Sequence, residues 1–219
     1  MTAIPANLTW PRRLLLAALA LCAYLIGFQP TWFVRDAVLN AFGAPAYEGV
    51  WILIPHLFLY STLSAVFCAI AWFALVRAGW LKPPSFALSV RTLLLGIGAG
   101  LASFGALVAF FYVTGQMGAF HEPRINPWIM GANLFSNFFE ELIFRGFILA
   151  ALAAAFGFWP AALLSSIAFA SVHSQFPLEL QAVVALAGFF MALSLRWAHS
   201  LMAPYLAHMT LDWLADPLL

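Results

Sequence analysis

The stretch TLLLGIGAGLASFGALVAFFYVTG, Thr92–Gly115, decides the fold. It holds no charged residue and no proline. A bilayer span needs about 20 mainly apolar residues. In hydrocarbon such a run is stable only as a helix, because each backbone amide must be satisfied within the segment. The stretch therefore reads as a membrane-spanning helix. Gly96, Gly98 and Gly100 look like a glycine-rich nucleotide loop. They sit inside an apolar run with no preceding strand, so close helix packing is the reading taken.

The rest of the chain is built from similar material. Of 219 residues, 65% are apolar and 8% charged, against about 45–50% and about 25% in soluble proteins. Mean hydropathy is +0.98. Too few polar groups remain to cover a soluble surface, and disorder is excluded on the same ground. A net charge of +1 offers no basic field for nucleic acid. Cys22 and Cys68 lie in apolar runs, so no disulfide framework is expected. The expectation is an all-α fold: one polytopic integral membrane helical bundle over residues 1–219.

Seven stretches qualify as spans: Leu14–Val34, Val50–Val76, Thr92–Gly115, Trp128–Phe156, Pro160–Phe176, Leu180–Leu195 and Leu201–Ala215. The last three are short. The fourth exceeds a hydrocarbon core of about 30 Å and must tilt, project or break. Arg12 and Arg13 precede an apolar run too long for a signal-peptide core, so it reads as a first span. Alternating the loops gathers Arg12, Arg13, Arg77, Lys82, Arg91 and Arg196 on one side, with Arg35 and Arg124 opposite. That asymmetry makes the N-terminus cytoplasmic. Short loops and a compact chain suggest a bacterial cytoplasmic membrane.

All charged residues but four fall in loops or near span ends. The four are Glu140, Glu141, Arg145 and Asp212, and His173 and His208 join them. One charge at a helix centre costs about 2.5–3.5 kcal/mol. Four facing lipid would cost ~10–14 kcal/mol, comparable with the ~5–15 kcal/mol stability of a domain. They must face an interior cavity, and an ionisable group there marks a functional site.

Spacing suggests how they pair. Glu141 and Arg145 are four apart, acid before base, the better order for a helical ion pair. Glu140 lies about 100° around the helix, which leaves it free to work. The bland alternative is that both acids merely hold helices together through Arg145. Phe169 stands one turn before His173 and can wall off its imidazole. Alone, such a histidine is more often a core residue. His208 and Asp212 are again four apart, so the carboxylate can fix the histidine tautomer or share a metal or substrate with it. Otherwise they form a local pair on a short last helix.

Taken together, Glu140, His173, His208 and Asp212 suit hydrolysis. A glutamate can take a proton from water while histidines share proton work or donate to an oxyanion. Two histidines and a glutamate can also ligate zinc, with Glu140, His173 and His208 as the set. No His-Glu-x-x-His, no Gly-x-Ser-x-Gly and no presenilin-like aspartate pair is present.

Glu140-Glu141-x-x-x-Arg145, Phe169-x-x-x-His173 and His208-x-x-x-Asp212, in that order, resemble the CPBP family. That family includes CAAX prenyl endopeptidases of the Ras-converting type, bacterial Abi-like immunity proteins and myxosortase-like relatives. The run Ser200–His208 resembles the family's lead-in to its last histidine. The likeness covers Asn133–Trp213, within a core of residues 128–216. It implies an intramembrane protease with Glu140 as general base, His173 as its partner, and His208 with Asp212 at the oxyanion. Glu141, Arg145 and Phe169 would support the site. No metal is required on this account, although the family is often described as metalloproteases. Asparagine is usual at position 212 in the prenyl-protease branch. An ionised aspartate cannot donate a hydrogen bond, so Asp212 is protonated, orients His208, or binds a metal. The expected substrate is a membrane-embedded peptide or protein, with a C-terminal tail as one form, and the other partner is the lipid bilayer. The competing readings are a non-catalytic immunity or binding protein on this scaffold, and a proton-coupled transporter. The transporter would show repeated halves, and none is evident.

Overall fold

A computed structural model describes residues 8–42 and 62–218, with side chains omitted at 26–39, 42 and 62–64. Every regular element among the described residues is helical. In chain order these are α1 (Trp10–Phe42), α2 (Thr62–Arg77), α3 (Val90–Val113), a 3₁₀ turn (Met117–Ala119) and α4 (Pro127–Glu141). A π-helical segment (Leu142–Ile148) follows, then α5 (Leu149–Phe156), α6 (Phe158–Ser171), α7 (Leu178–Ala198) and α8 (Met202–Ala215). The first half of the Val50–Val76 expectation lies outside the described residues, as does the Arg35 side chain.

Two described helices, α3 and α7, are long and apolar enough to cross a membrane. Only 22% and 28% of their most apolar windows are buried inside the protein. The core helix of a soluble protein would show the reverse, so their apolar faces look outward. At about 1.5 Å per residue, the 14 residues of α6 and of α8 reach only about 21 Å. The long fourth stretch, expected to tilt, project or break, runs on as continuous helix: a π-helical segment immediately after Glu141 carries α4 into α5 without a loop.

Helix α3 packs on α7 and α8. Its glycines show how closely. A Cβ at Gly96 would stand 2.8 Å from the Ala203 carbonyl oxygen, and one at Gly100 would stand 2.6 Å from that of Ala207. These two glycines bring α8 against α3, the small-residue packing expected of them. Gly98 does not belong with them: it faces open space, because it lies on the other side of the helix. Behind α8, α4 runs alongside, and α6 closes against α7 and α5. Gly157, at φ +90°, permits the abrupt turn from α5 to α6. The main apolar core joins α1, α2, the π segment and α5, with Leu16, Phe144, Phe147, Leu149 and Ala151 fully covered.

Candidate active site

The first side chains come from α4. Asn126 caps its N-terminus, its side-chain oxygen accepting from the Trp128 and Ile129 amides, and Pro127 takes the first helical position. This start sets the helix phase. Asn133, Asn137 and Glu141 then fall at four-residue intervals, all buried. Antiparallel to them on α8 stand Asp216, Asp212 and His208. Asn133 Nδ2 donates to Asp216 Oδ2 at 2.6 Å, and Asn137 Nδ2 donates to Asp212 Oδ2 at 2.7 Å. His208 Nδ1 donates to Glu141 Oε1 at 2.9 Å. Each step of four along α4 is matched by a step of four back along α8. The result is a three-rung polar row between two helices.

Glu141 also takes Arg145 Nη1 at 3.1 Å, the pairing their spacing suggested. Arg145 is wholly enclosed. Its Nη2 meets Met191 Sδ at 3.4 Å, and its guanidinium carbon lies 4.2 Å from the Phe169 ring centre. A Cβ at Gly188 would stand 2.8 Å from Nη2, so the absent side chain makes room for the charge. Beneath it the π segment keeps its carbonyls satisfied: Phe144 O accepts the Leu149 amide and, at 3.0 Å, the Ser165 hydroxyl. Two buried atoms make no hydrogen bond in this box, Glu141 Oε2 and Arg145 Nε.

His208 differs from expectation. Its primary partner is Glu141 across the helix interface. Asp212 Oδ2 stands 3.6 Å from Nε2, beyond direct hydrogen bonding. An i,i+4 carboxylate can reach the ring, but a fixed acid on the facing helix reaches it better. Both ring nitrogens nevertheless face carboxylate oxygens.

His173 also differs in its setting. Helix α6 ends at Ser171, so His173 sits in the turn beyond it rather than within a span. Its Nδ1 lies 2.9 Å from the Phe169 carbonyl oxygen and satisfies an end-of-helix acceptor. A carbonyl can only accept, so Nδ1 carries the proton. In the neutral ring Nε2 is then the basic nitrogen. The ring packs on Phe169 at 4.8 Å and stacks parallel to Phe176 at 6.2 Å. Phe169 also meets His208 edge to face, at 5.4 Å. One phenyl ring therefore contacts both imidazoles.

Glu140 is half-buried and makes no hydrogen bond or ion pair with the described residues. It lies within electrostatic reach of His208, Asp212, Glu141 and Arg145. His173 lies within similar reach of His208 and Arg145.

Residues 123–214 match the family described as Type II CAAX prenyl endopeptidase Rce1-like. The resemblance read from the three motifs therefore holds over these residues. Neither a curated protein nor a solved structure gives a significant match. A match to the Rce1-like family implies a protease, a membrane setting and a membrane-associated peptide substrate. The matched residues run from just before α4 nearly to the end of α8, and so include every side chain of the site but Asp216.

The zinc shell does not fit this arrangement. Among the described residues, no three His, Cys, Asp or Glu side chains are grouped as a metal needs. Both nitrogens of His208 already face carboxylates, and Nδ1 of His173 serves a carbonyl. The metalloprotease reading has no support in this geometry. Asn133, Asn137 and Asp216 escaped sequence reasoning. Their signal was a polar residue every fourth position on two helices, and it went unread because only ionisable groups within spans were sought.

Proposed function

We propose that the chain is an intramembrane endopeptidase in which Glu140 and His173 activate water. The supporting observation is a contrast within the stretch that matches the Rce1-like family. Glu141, Arg145, His208 and Asp212 are engaged with one another or with Asn137, whereas the Glu140 carboxylate and His173 Nε2 are not. A group already donating or accepting is poorly placed to exchange a proton with water. An unengaged base beside a fixed cation is well placed.

In the reaction, a water proton passes to Glu140 while the oxygen forms a bond to the peptide carbonyl carbon. The carbonyl π electrons move to oxygen and generate an oxyanion. His208, as an imidazolium held by Glu141 through its Nδ1–H, turns its Nε2–H to that oxygen and keeps both protons through the step. As the C–N bond breaks, the acquired proton moves to the leaving nitrogen, giving a free amine and a carboxylic acid. His173 Nε2 shares this transfer. Arg145 keeps Glu141 charged and in place. Asp212 acts as an acceptor beside His208, the role open to an ionised aspartate. No step uses a metal.

The proposed setting is a bundle of seven spans with a cytoplasmic N-terminus in a bacterial membrane. The substrate is a membrane-embedded peptide, with a C-terminal tail as one form. The test compares termini of membrane proteins from cells carrying the chain or its Glu140→Gln variant. New termini should appear with the former alone. Identical cleavage by Glu140→Gln would falsify the assigned base.

A further inference from the structure

We propose that Asn137 is a positioning residue for the reaction, which rests on the peptidase reading above. It pins the Asp212 carboxylate against His208. The Asn137 side chain is buried, and its Nδ2 lies 2.7 Å from Asp212 Oδ2. That same oxygen is the atom that faces His208 Nε2 at 3.6 Å. An amide and an imidazole thus converge on one carboxylate oxygen from two sides. Asn137 is itself held in place: its Oδ1 accepts the Ser136 hydroxyl at 3.4 Å, and Nδ2 also meets Met209 Sδ at 3.5 Å. The rungs on either side, Asn133–Asp216 and Glu141–His208, fix the register of α4 against α8. The amide therefore cannot slide relative to its acceptor.

The carboxylate needs such a partner. A carboxylate turns readily about its last side-chain torsion, whose preference is broad. Turned away, Asp212 would withdraw its charge from the Nε2 side of His208, which it faces at 3.6 Å without a direct hydrogen bond. With Oδ2 bonded to Asn137, the imidazole is held between Glu141 and Asp212. The amide sits across the interface on α4, and the last helix carries the acid.

The experiment uses the full chain in detergent and in phosphatidylglycerol vesicles. Its variants are Asn137→Leu, Asp212→Asn and the exchanged double variant Asn137→Asp/Asp212→Asn. Three quantities are read. The first is the thermal midpoint. The second is kcat and KM on an internally quenched farnesylated CAAX-tail peptide. The third is the ring-nitrogen spectrum of ¹⁵N-labelled histidine, with His208 assigned by its loss in His208→Gln. Asn137→Leu should lower kcat by about 10–100-fold, the usual cost of losing a partner that orients a functional side chain. KM should stay unchanged and the His208 Nε2 resonance should move. The exchanged variant restores an amide–carboxylate pair, so its thermal midpoint should return to that of the parent. Its kcat should stay low, because the carboxylate is now on the wrong helix.

Two results overturn the proposal. One is an Asn137→Leu protein with parental kcat and parental His208 resonances. The other is full recovery of kcat in the exchanged variant, which makes the pair helix glue and nothing more. Should the parent cleave no peptide, the peptidase reading fails separately and the His208 spectrum alone decides. A moved resonance in Asn137→Leu then upholds the positioning role, and an unmoved one ends it.

Discussion

The row formed by Glu141, His208, Asp212 and Asn137 and the two residues proposed to act on water, Glu140 and His173, lie in the same family-matched stretch, yet they are built on opposite terms. In the row each polar group has a partner on another helix or one turn away, at 2.7–3.6 Å. Among the described residues, Glu140 has no hydrogen-bond partner, and His173 spends Nδ1 on its own helix end with no partner at Nε2. Buried polar groups left unpaired cost about 1–3 kcal/mol each. Paired groups offset that cost and lock the helices. Unpaired ones keep a lone pair for water. On the proposed reading, the difference separates residues that hold the site from residues that work in it.

The sharpest way to break this comparison is to neutralise each working group without changing its shape. Glu140→Gln and His173→Gln should lower kcat by about 10²–10⁴-fold, the usual worth of a positioned acid–base group. The Glu140→Gln midpoint should stay at or above the parental value, since no bond to the described residues is lost there, whereas His173→Gln gives up its bond to the Phe169 carbonyl and its ring contacts and should melt lower. A Glu140→Gln protein that melts well below the parent would put Glu140 among the holding residues.

The next largest effect belongs to the row. Glu141→Ala removes the acceptor of both Arg145 and His208. It leaves a guanidinium buried with no carboxylate, a change costing about 3–5 kcal/mol. Folded yield should fall together with activity. Adding Arg145→Met should recover part of the yield, because the stranded charge goes too, while activity stays absent. An undiminished yield for Glu141→Ala alone would mean that the row is not what holds α4 to α8.

How much of this was legible beforehand follows the same division. The Glu141–Arg145 pair was readable, because both partners lie on one turn and the spacing rule needs no tertiary knowledge. The freedom of Glu140 followed from the same helix angle. The Glu141–His208 bond was not readable, since it depends on the register of two helices 67 residues apart. That register could be sought in the polar repeat Asn133, Asn137, Glu141 against His208, Asp212, Asp216. The C-terminus of α6 was hidden because Val172 and Phe176 extend the apolar stretch past Ser171, although His173, Ser174 and Gln175 between them are polar. Only the His173 ring, turned back onto the Phe169 carbonyl, shows where the helix stops. An irregularity in the 128–156 stretch had a cue in its length, but a π-helical turn within a continuous helix did not, because nothing in Leu142–Ile148 distinguishes an i→i+5 turn from an ordinary one.

Gly188 tests the enclosure of the row. Alanine there places a methyl 2.8 Å from Arg145 Nη2 and 3.3 Å from the Phe169 ring. Neither neighbour can retreat easily, because the guanidinium is tied to Glu141 and the phenyl contacts both imidazoles. Overpacking of this kind costs about 1–3 kcal/mol. The thermal midpoint of Gly188→Ala should fall. The Gly98→Ala midpoint, at a helical glycine facing open space, should hold or rise. Equal behaviour of the two would mean that α7 is free to shift away from Arg145.

The smallest effect concerns the floor beneath both groups. Ser165→Ala deletes the hydroxyl that bonds Phe144 O at 3.0 Å. That carbonyl keeps its bond from the Leu149 amide, so no acceptor is stranded. The loss should be the net worth of one neutral hydrogen bond, about 0.5–1.5 kcal/mol. It should appear as a lower thermal midpoint with kcat intact, because Glu140 lies before the π segment and His173 lies beyond α6. A fall in kcat at unchanged stability would reverse the assignment. It would mean that the π turn transmits its geometry to Glu140, and that holding and working residues share one mechanical support.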